Sequence, residues 1–188
     1  MWTLPFPVYL FLHRYLRGYF QKYLMNNCTE ETLLFWEYAE DYWRAHPFTP
    51  HPFAPSPMYN HDGVSSSARM QATNEVLAVL KQQDAAMLST PEAVRQWAES
   101  LYLTFIHYNA PYQIGCCTGR DMLRVGAALD QLGPGEMPPY NLFRAIQQST
   151  FNFMKTMCYP DFIALPNYHR MLVAALHAGD RVRHLSIL

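Results

Sequence analysis

Charge is scarce in this chain and its two signs nearly cancel, 14 Lys and Arg against 15 Asp and Glu for a formal net charge of −1. Binding nucleic acid or an anionic membrane through an overall field needs a basic excess, so nucleic acid is not an expected partner. Cysteine grammar is missing as well. Cys28, the adjacent pair Cys116-Cys117, and Cys158 show no CxxC spacing and no framework of a small secreted domain, which fits reduced thiols inside a cell. The eight histidines form no HExxH motif, and adjacent cysteines cannot easily ligate one tetrahedral zinc. No metal, cofactor or thiol chemistry built on Cys116, Cys117 and His107 is therefore expected. Long apolar runs are absent too. The opening Met1–Leu12 is apolar but broken by Pro5 and Pro7, and falls short of the roughly 20 residues of a spanning helix. It has neither a basic region before it nor a small-residue cleavage site, so it reads as a packed terminal segment, with the cytoplasm as the expected location.

What the chain does have is apolar mass. Half of its 188 residues are apolar and 15% aromatic, enough to bury a substantial core in a single domain over residues 1–188. Val8 to Met25 reads as helix: Tyr9, Leu12, Tyr15, Leu16, Tyr19, Phe20, Tyr23 and Leu24 recur at three- and four-residue spacings. After the turn Asn26-Asn27-Cys28, Thr29 is placed to cap a second helix from Glu30 to about Ala45, with Glu30 and Glu31 where the dipole favours negative charge. Pro47 ends it.

Residues 46–73 change character, with Pro47, Pro50, Pro52, Pro55 and Pro57 crowded together and Ser65-Ser66-Ser67 after Gly63. Such a stretch loses helix donors and is a surface excursion or linker. Asn74 to Met87 adds one loosely docked helix, making about 47–90 a Pro/Ser-rich insertion. Pro91 suits the first turn of a helix running to about Tyr108. A loop Asn109–Cys116 follows, then a helix capped by Thr118 that stops at Gly133-Pro134-Gly135. Further helices are expected over roughly Pro139–Met157 and Pro160–Leu176, the last split near Pro166. No stretch alternates as a strand does, so the fold class is all-α.

Three segments carry a resemblance beyond periodicity. They are Phe20-x-x-Tyr23-Leu24 followed by Thr29-Glu30-Glu31-Thr32-Leu33-Leu34-Phe35-Trp36; Leu101-Tyr102 and Phe105-Ile106 leading to Gln113-Ile114; and Leu142-Phe143, Gln147, Phe151-Asn152-Phe153-Met154, Cys158-Tyr159, Phe162 and Tyr168. In order and spacing, over about residues 15–172, the chain resembles the RGS family, the regulators of G-protein signalling. The resemblance implies a four-helix bundle subdomain plus a terminal helical subdomain, with no catalytic centre of its own. It also implies a Gα subunit as partner, in its GTP-bound or transition-state form, whose own glutamine and arginine the RGS domain holds in place.

Carried over by motif, the partner-facing residues are Glu31, Thr32, Gln113, Phe153, Met157, Cys158 and Asp161. Glu31 keeps the family's carboxylate, though it also suits a first-turn helix charge. Thr32 replaces the family's asparagine with a shorter hydroxyl, and Gln113 keeps an amide on a side chain one methylene longer. Phe153 replaces a leucine-type contact, Met157 stands at an aspartate, and Asp161 stands at an arginine. The expected function is therefore Gα binding at the switch regions with weak or lost GTPase activation. The alternatives are an adaptor of the same fold that has left Gα, or a full activator using unconventional contacts.

Overall fold

Leu24 and Phe20 are fully buried on one face of the first helix, α1 (Arg14–Asn26). The computed structural model describes residues 14–27, 29–47, 90–174 and 177. The expected helix start at Val8, the opening segment, nearly all of the 47–90 insertion with its helix, Cys28 and the basic C-terminal end lie outside the described residues. Two units divide the chain: residues 1–34 with 149–188, and residues 35–148.

In the first unit an aromatic cluster forms the core. The Phe20 ring stands edge-on to Phe162 at 5.3 Å and to Tyr159 at 6.4 Å, Tyr23 meets Phe162 at 5.4 Å, and Phe162 meets Tyr168 at 5.5 Å. Edge-to-face packing of this kind adds to the area the rings bury. Asn27 closes α1, its side-chain amide donating to the Tyr23 carbonyl at 2.8 Å, and the Thr29 N–H turns back to the Leu24 carbonyl at 3.0 Å. That turn leads into α2 (Glu30–Ala45) without the expected side-chain cap. The Thr29 hydroxyl is buried without a hydrogen-bond partner, and only the Thr29 backbone carbonyl accepts from Thr32 N–H, at 3.3 Å.

The second unit is organised around Tyr42. Its ring lies edge-on to Phe143 at 5.2 Å and to Trp97 at 6.1 Å, and its hydroxyl donates to the Pro139 carbonyl at 3.1 Å. Phe35 completes the layer against Phe105 at 5.8 Å and Phe143 at 6.3 Å. The Thr90 hydroxyl accepts from Ala93 N–H at 3.2 Å and Pro91 sits in the first turn, so α3 (Pro91–Leu101) starts where the sequence predicts. Val94, Trp97, Ala98 and Leu101 form its buried stripe, which a π-helical turn, Tyr102–Ile106, prolongs through Thr104, Phe105 and Ile106.

Helix α4 (Gly119–Asp130) begins at a reciprocal cap: the Thr118 hydroxyl accepts from Asp121 N–H at 3.2 Å and donates to its carboxylate at 2.6 Å. Its stop is built by Gly135, at φ +76, and by Glu136, whose carboxylate accepts from Gly133 N–H at 2.8 Å.

Helix α5 starts later than the sequence predicts, at Arg144 instead of Pro139, and runs to Phe153. Residues 140–143 make turns instead, with Leu142 N–H on Pro139 O and Arg144 N–H on Asn141 O, both at 3.0 Å. A π-helical turn Met154–Cys158 then joins α5 to the short α6 (Tyr159–Ile163). Pro160 explains the widening, because its ring has no N–H to donate and would crowd the carbonyl four residues back in a regular helix. Turns at 164–167 precede helical residues 168–174, the expected division near Pro166. Among the described residues there is no strand, and no helix is long and apolar enough to cross a membrane.

Candidate functional site

Gln113 sits on a loop held from both sides. The loop leaves the π-helical turn at His107, whose N–H bonds the Tyr102 carbonyl at 2.8 Å. It returns so that Tyr112 N–H donates to Thr104 O at 3.1 Å and Ile114 N–H to Phe105 O at 3.0 Å. A helix end leaves carbonyls without intrahelical partners, and here the loop supplies the donors. Two anchored N–H groups of alternate residues direct Ile114 into the core and the Tyr112 ring to within 6.4 Å of Phe105, leaving Gln113 between them exposed. The Gln113 amide donates to the Met122 thioether at 3.9 Å, a weak acceptor that orients the amide without burying it.

At the loop's far end Cys117 is half-buried, and burial, with the Asp121 charge second, pushes its thiol up to about 11. So protonated a thiol is a poor nucleophile at neutral pH. Among the described residues no three His, Cys, Asp or Glu side chains gather to hold a metal ion.

Every other motif-derived site residue belongs to the first unit. Glu31 lies half-exposed in the first turn of α2 and takes part in an interaction of its own. Its neighbour Thr32 is only 2% exposed and offers no surface to a partner. Phe153 closes α5 half-buried, and Met157 projects from the π-helical turn 62% exposed. Cys158 is buried behind it, and Asp161 is exposed on α6. Asp161 and Cys158 share the neighbourhood of Tyr23: burial first, then the Asp161 and Cys158 charges, raise the Tyr23 phenol above its ordinary range. The π-helical turn therefore shows a thioether to solvent and α6 a carboxylate.

Gln147, read as part of the third motif, is a core residue of the second unit. It is 3% exposed, and its amide donates to Glu40 at 2.9 Å and to the Trp36 carbonyl at 3.2 Å, while its oxygen accepts from Arg144 at 2.9 Å. Arg44 meets the same Glu40 carboxylate at 3.0 Å, and Arg144 lies 5.1 Å over the Trp43 ring. The residues of the two π-helical turns do not themselves mark them, and Pro160, just after the second, is the one sign the sequence holds. Nothing in the sequence marks the pairing of Gln113 with Met122. A helix cap at Thr118, three residues before an acid, is the one legible sign of how the loop ends.

A family model described as "Regulator of G protein signaling domain" matches residues 8–171. Comparison with curated proteins gives no match.

Proposed function

The chain belongs to the regulator of G-protein signalling family, whose domains are GTPase-activating regulators without a catalytic centre of their own, and from that premise we propose that it binds the switch regions of a Gα subunit but accelerates GTP hydrolysis only weakly. The observation that carries this reading is Gln113: an exposed amide on a loop tethered at both neighbours, where the family sets an asparagine toward the Gα glutamine. A rigid loop makes the contact geometrically cheap to form, which supports binding.

Three features argue for poor acceleration. Gln113 carries its amide one methylene farther out and turns the donor toward Met122. Thr32 is buried, so the position of the family's second amide is silent. Met157 on the second π-helical turn and Asp161 on α6 present a thioether and a negative charge where the family sets aspartate and arginine. Each lost hydrogen bond in a desolvated interface removes about 1–3 kcal/mol, and acceleration by positioning depends steeply on small misplacements. We assign the whole chain to one RGS domain interrupted at about 47–90, acting in the cytoplasm where Gα presents its switches.

Single-turnover GTP hydrolysis by several Gα subunits, with and without this domain, tests the reading beside a pull-down on GDP·AlF₄⁻-loaded Gα. Capture with little change in hydrolysis rate is expected. Strong acceleration would overturn the claim of weak activity, and no capture in any nucleotide state would overturn Gα binding.

A further inference from the structure

Gly126 lies buried on α4 against Tyr102. A Cβ built on this glycine would stand 2.7 Å from the Tyr102 hydroxyl oxygen and 3.2 Å from the ring carbon that bears it. No side chain fits there unless the tyrosine moves. The same tyrosine ring stands edge-on to His107 at 5.6 Å.

His107 starts the Gln113 loop. Its carbonyl accepts from Ala110 N–H at 2.9 Å, its Nδ1 accepts from Asn109 N–H at 3.3 Å, and its own N–H closes the π-helical turn on Tyr102. Thr104 and Phe105, whose carbonyls hold Tyr112 and Ile114, lie in that same turn. A contiguous series of contacts thus runs from the missing side chain at position 126, through the Tyr102 ring and the π-helical turn, to the two hydrogen bonds that flank Gln113.

We propose that Gly126 is a positioning residue for the partner-binding loop, acting through Tyr102 and the π-helical turn to fix where the Gln113 amide stands. The inference rests on the reading of Gln113 as a Gα contact. Its mechanical part does not, because the tether can be measured without any partner. A methyl group at position 126 pushes the hydroxyl end of Tyr102 aside, and because the same ring meets His107, the shift bears on the start of the Gln113 loop.

The test is amide hydrogen exchange on the full chain, comparing the wild type with Gly126→Ala and the double variant Gly126→Ala/Tyr102→Phe. In Gly126→Ala, exchange at Tyr112 and Ile114 is expected to quicken by about tenfold or more, relative to the buried amides of α2 and α5. Removing the hydroxyl in the double variant takes away the 2.7 Å clash and is expected to restore most of the protection. A merely structural role for Gly126 would quicken all slow amides together, and that result, or unchanged exchange at Tyr112 and Ile114, overturns the proposal. Should Gly126→Ala fail to fold, Tyr102→Leu empties the other side of the contact and is expected to quicken the same two amides, with unchanged exchange again overturning it.

Binding to GDP·AlF₄⁻-loaded Gα is followed in parallel. Weaker capture by Gly126→Ala, restored in the double variant, supports the proposal, and full capture despite loosened amides overturns it. If Gln113→Ala binds as the wild type does, the assignment of the loop as a Gα contact fails while the exchange result stands.

Discussion

At the scale of single residues, the informative side chains are the two glutamines. Gln113 is exposed and Gln147 is buried, so substitutions at the two sites separate binding from stability. Shortening the first with Gln113→Asn returns the amide to the family's length and frees it from Met122. Stimulated hydrolysis is then expected to rise above the wild type, most clearly with Asp161→Arg added, as single-turnover rates would read. Gln147→Leu removes the donor to Glu40 and to the Trp36 carbonyl and the acceptor for Arg144. Glu40 keeps Arg44 and Arg144, so the cost is that of the lost hydrogen bonds, about 1 kcal/mol each, and the urea midpoint is expected to fall by a corresponding amount. Gln147→Glu should do worse still, since it sets a second carboxylate against Glu40.

The residue scale is also where the sequence says least about accessibility. Thr32 and Leu33 follow Glu31 in one continuous helix, and nothing in their identities tells that the hydroxyl at 32 turns inward. Threonine is small enough to be buried when its hydroxyl finds a local acceptor, and common enough on surfaces that its residue type decides nothing.

At the scale of elements, caps and stripes were readable and irregular turns less so. Thr90-Pro91 and Thr118 start α3 and α4 because a hydroxyl just ahead of a helix takes up an N–H that the helix cannot satisfy itself. Thr118→Ala removes one acceptor for Asp121 N–H and one donor to its carboxylate. A loss of about 1 kcal/mol is expected in denaturant unfolding, and the same change at Thr90 should cost a similar amount. Thr29 is the same kind of residue ahead of α2, yet its N–H is drawn back to Leu24 and its hydroxyl is buried without a partner. The tertiary environment of a short turn outweighs local propensity there. The π-helical turn at 102–106 has no mark in the sequence for a different reason, because one extra residue per turn alters backbone pairing without requiring a different composition, whereas the one at 154–158 is foreshadowed by Pro160. Both turns matter because the first supplies the carbonyls that hold the Gln113 loop, and the second carries Met157 outward.

At the scale of the whole molecule, each unit has its own aromatic core, around Phe162 in the first and Tyr42 in the second. The second also contains a pH-sensitive support. His46 is buried, and its Nε2 lies 2.8 Å from the Pro138 carbonyl. A carbonyl only accepts, so that nitrogen carries the proton. Burial lowers the His46 pKa below the ordinary imidazole value, with the Pro138 hydrogen bond opposing the shift. Because the unfolded chain binds this proton more readily, the stability that neutral His46 contributes is complete above the unfolded pKa of ~6.5. It is lost as the pH falls through the lower folded value. Urea midpoints are therefore expected to drop between about pH 7.5 and about pH 5.5, and to drop less in His46→Gln, which keeps a donor for Pro138.

All-α architecture, the helix stripes and the RGS motifs were legible because periodic burial writes itself into spacing. Which motif residues face outward was not, because that depends on how turns set the helices. The most direct test of Gα engagement is equilibrium binding of the full chain to one Gα subunit loaded in turn with GDP and with GDP·AlF₄⁻. If the tethered Gln113 loop engages the switch regions, binding should be tighter to the GDP·AlF₄⁻ form and should weaken by about tenfold, or 1.4 kcal/mol, in Gln113→Ala. Equal affinity for both nucleotide states, or no affinity for either, would contradict it.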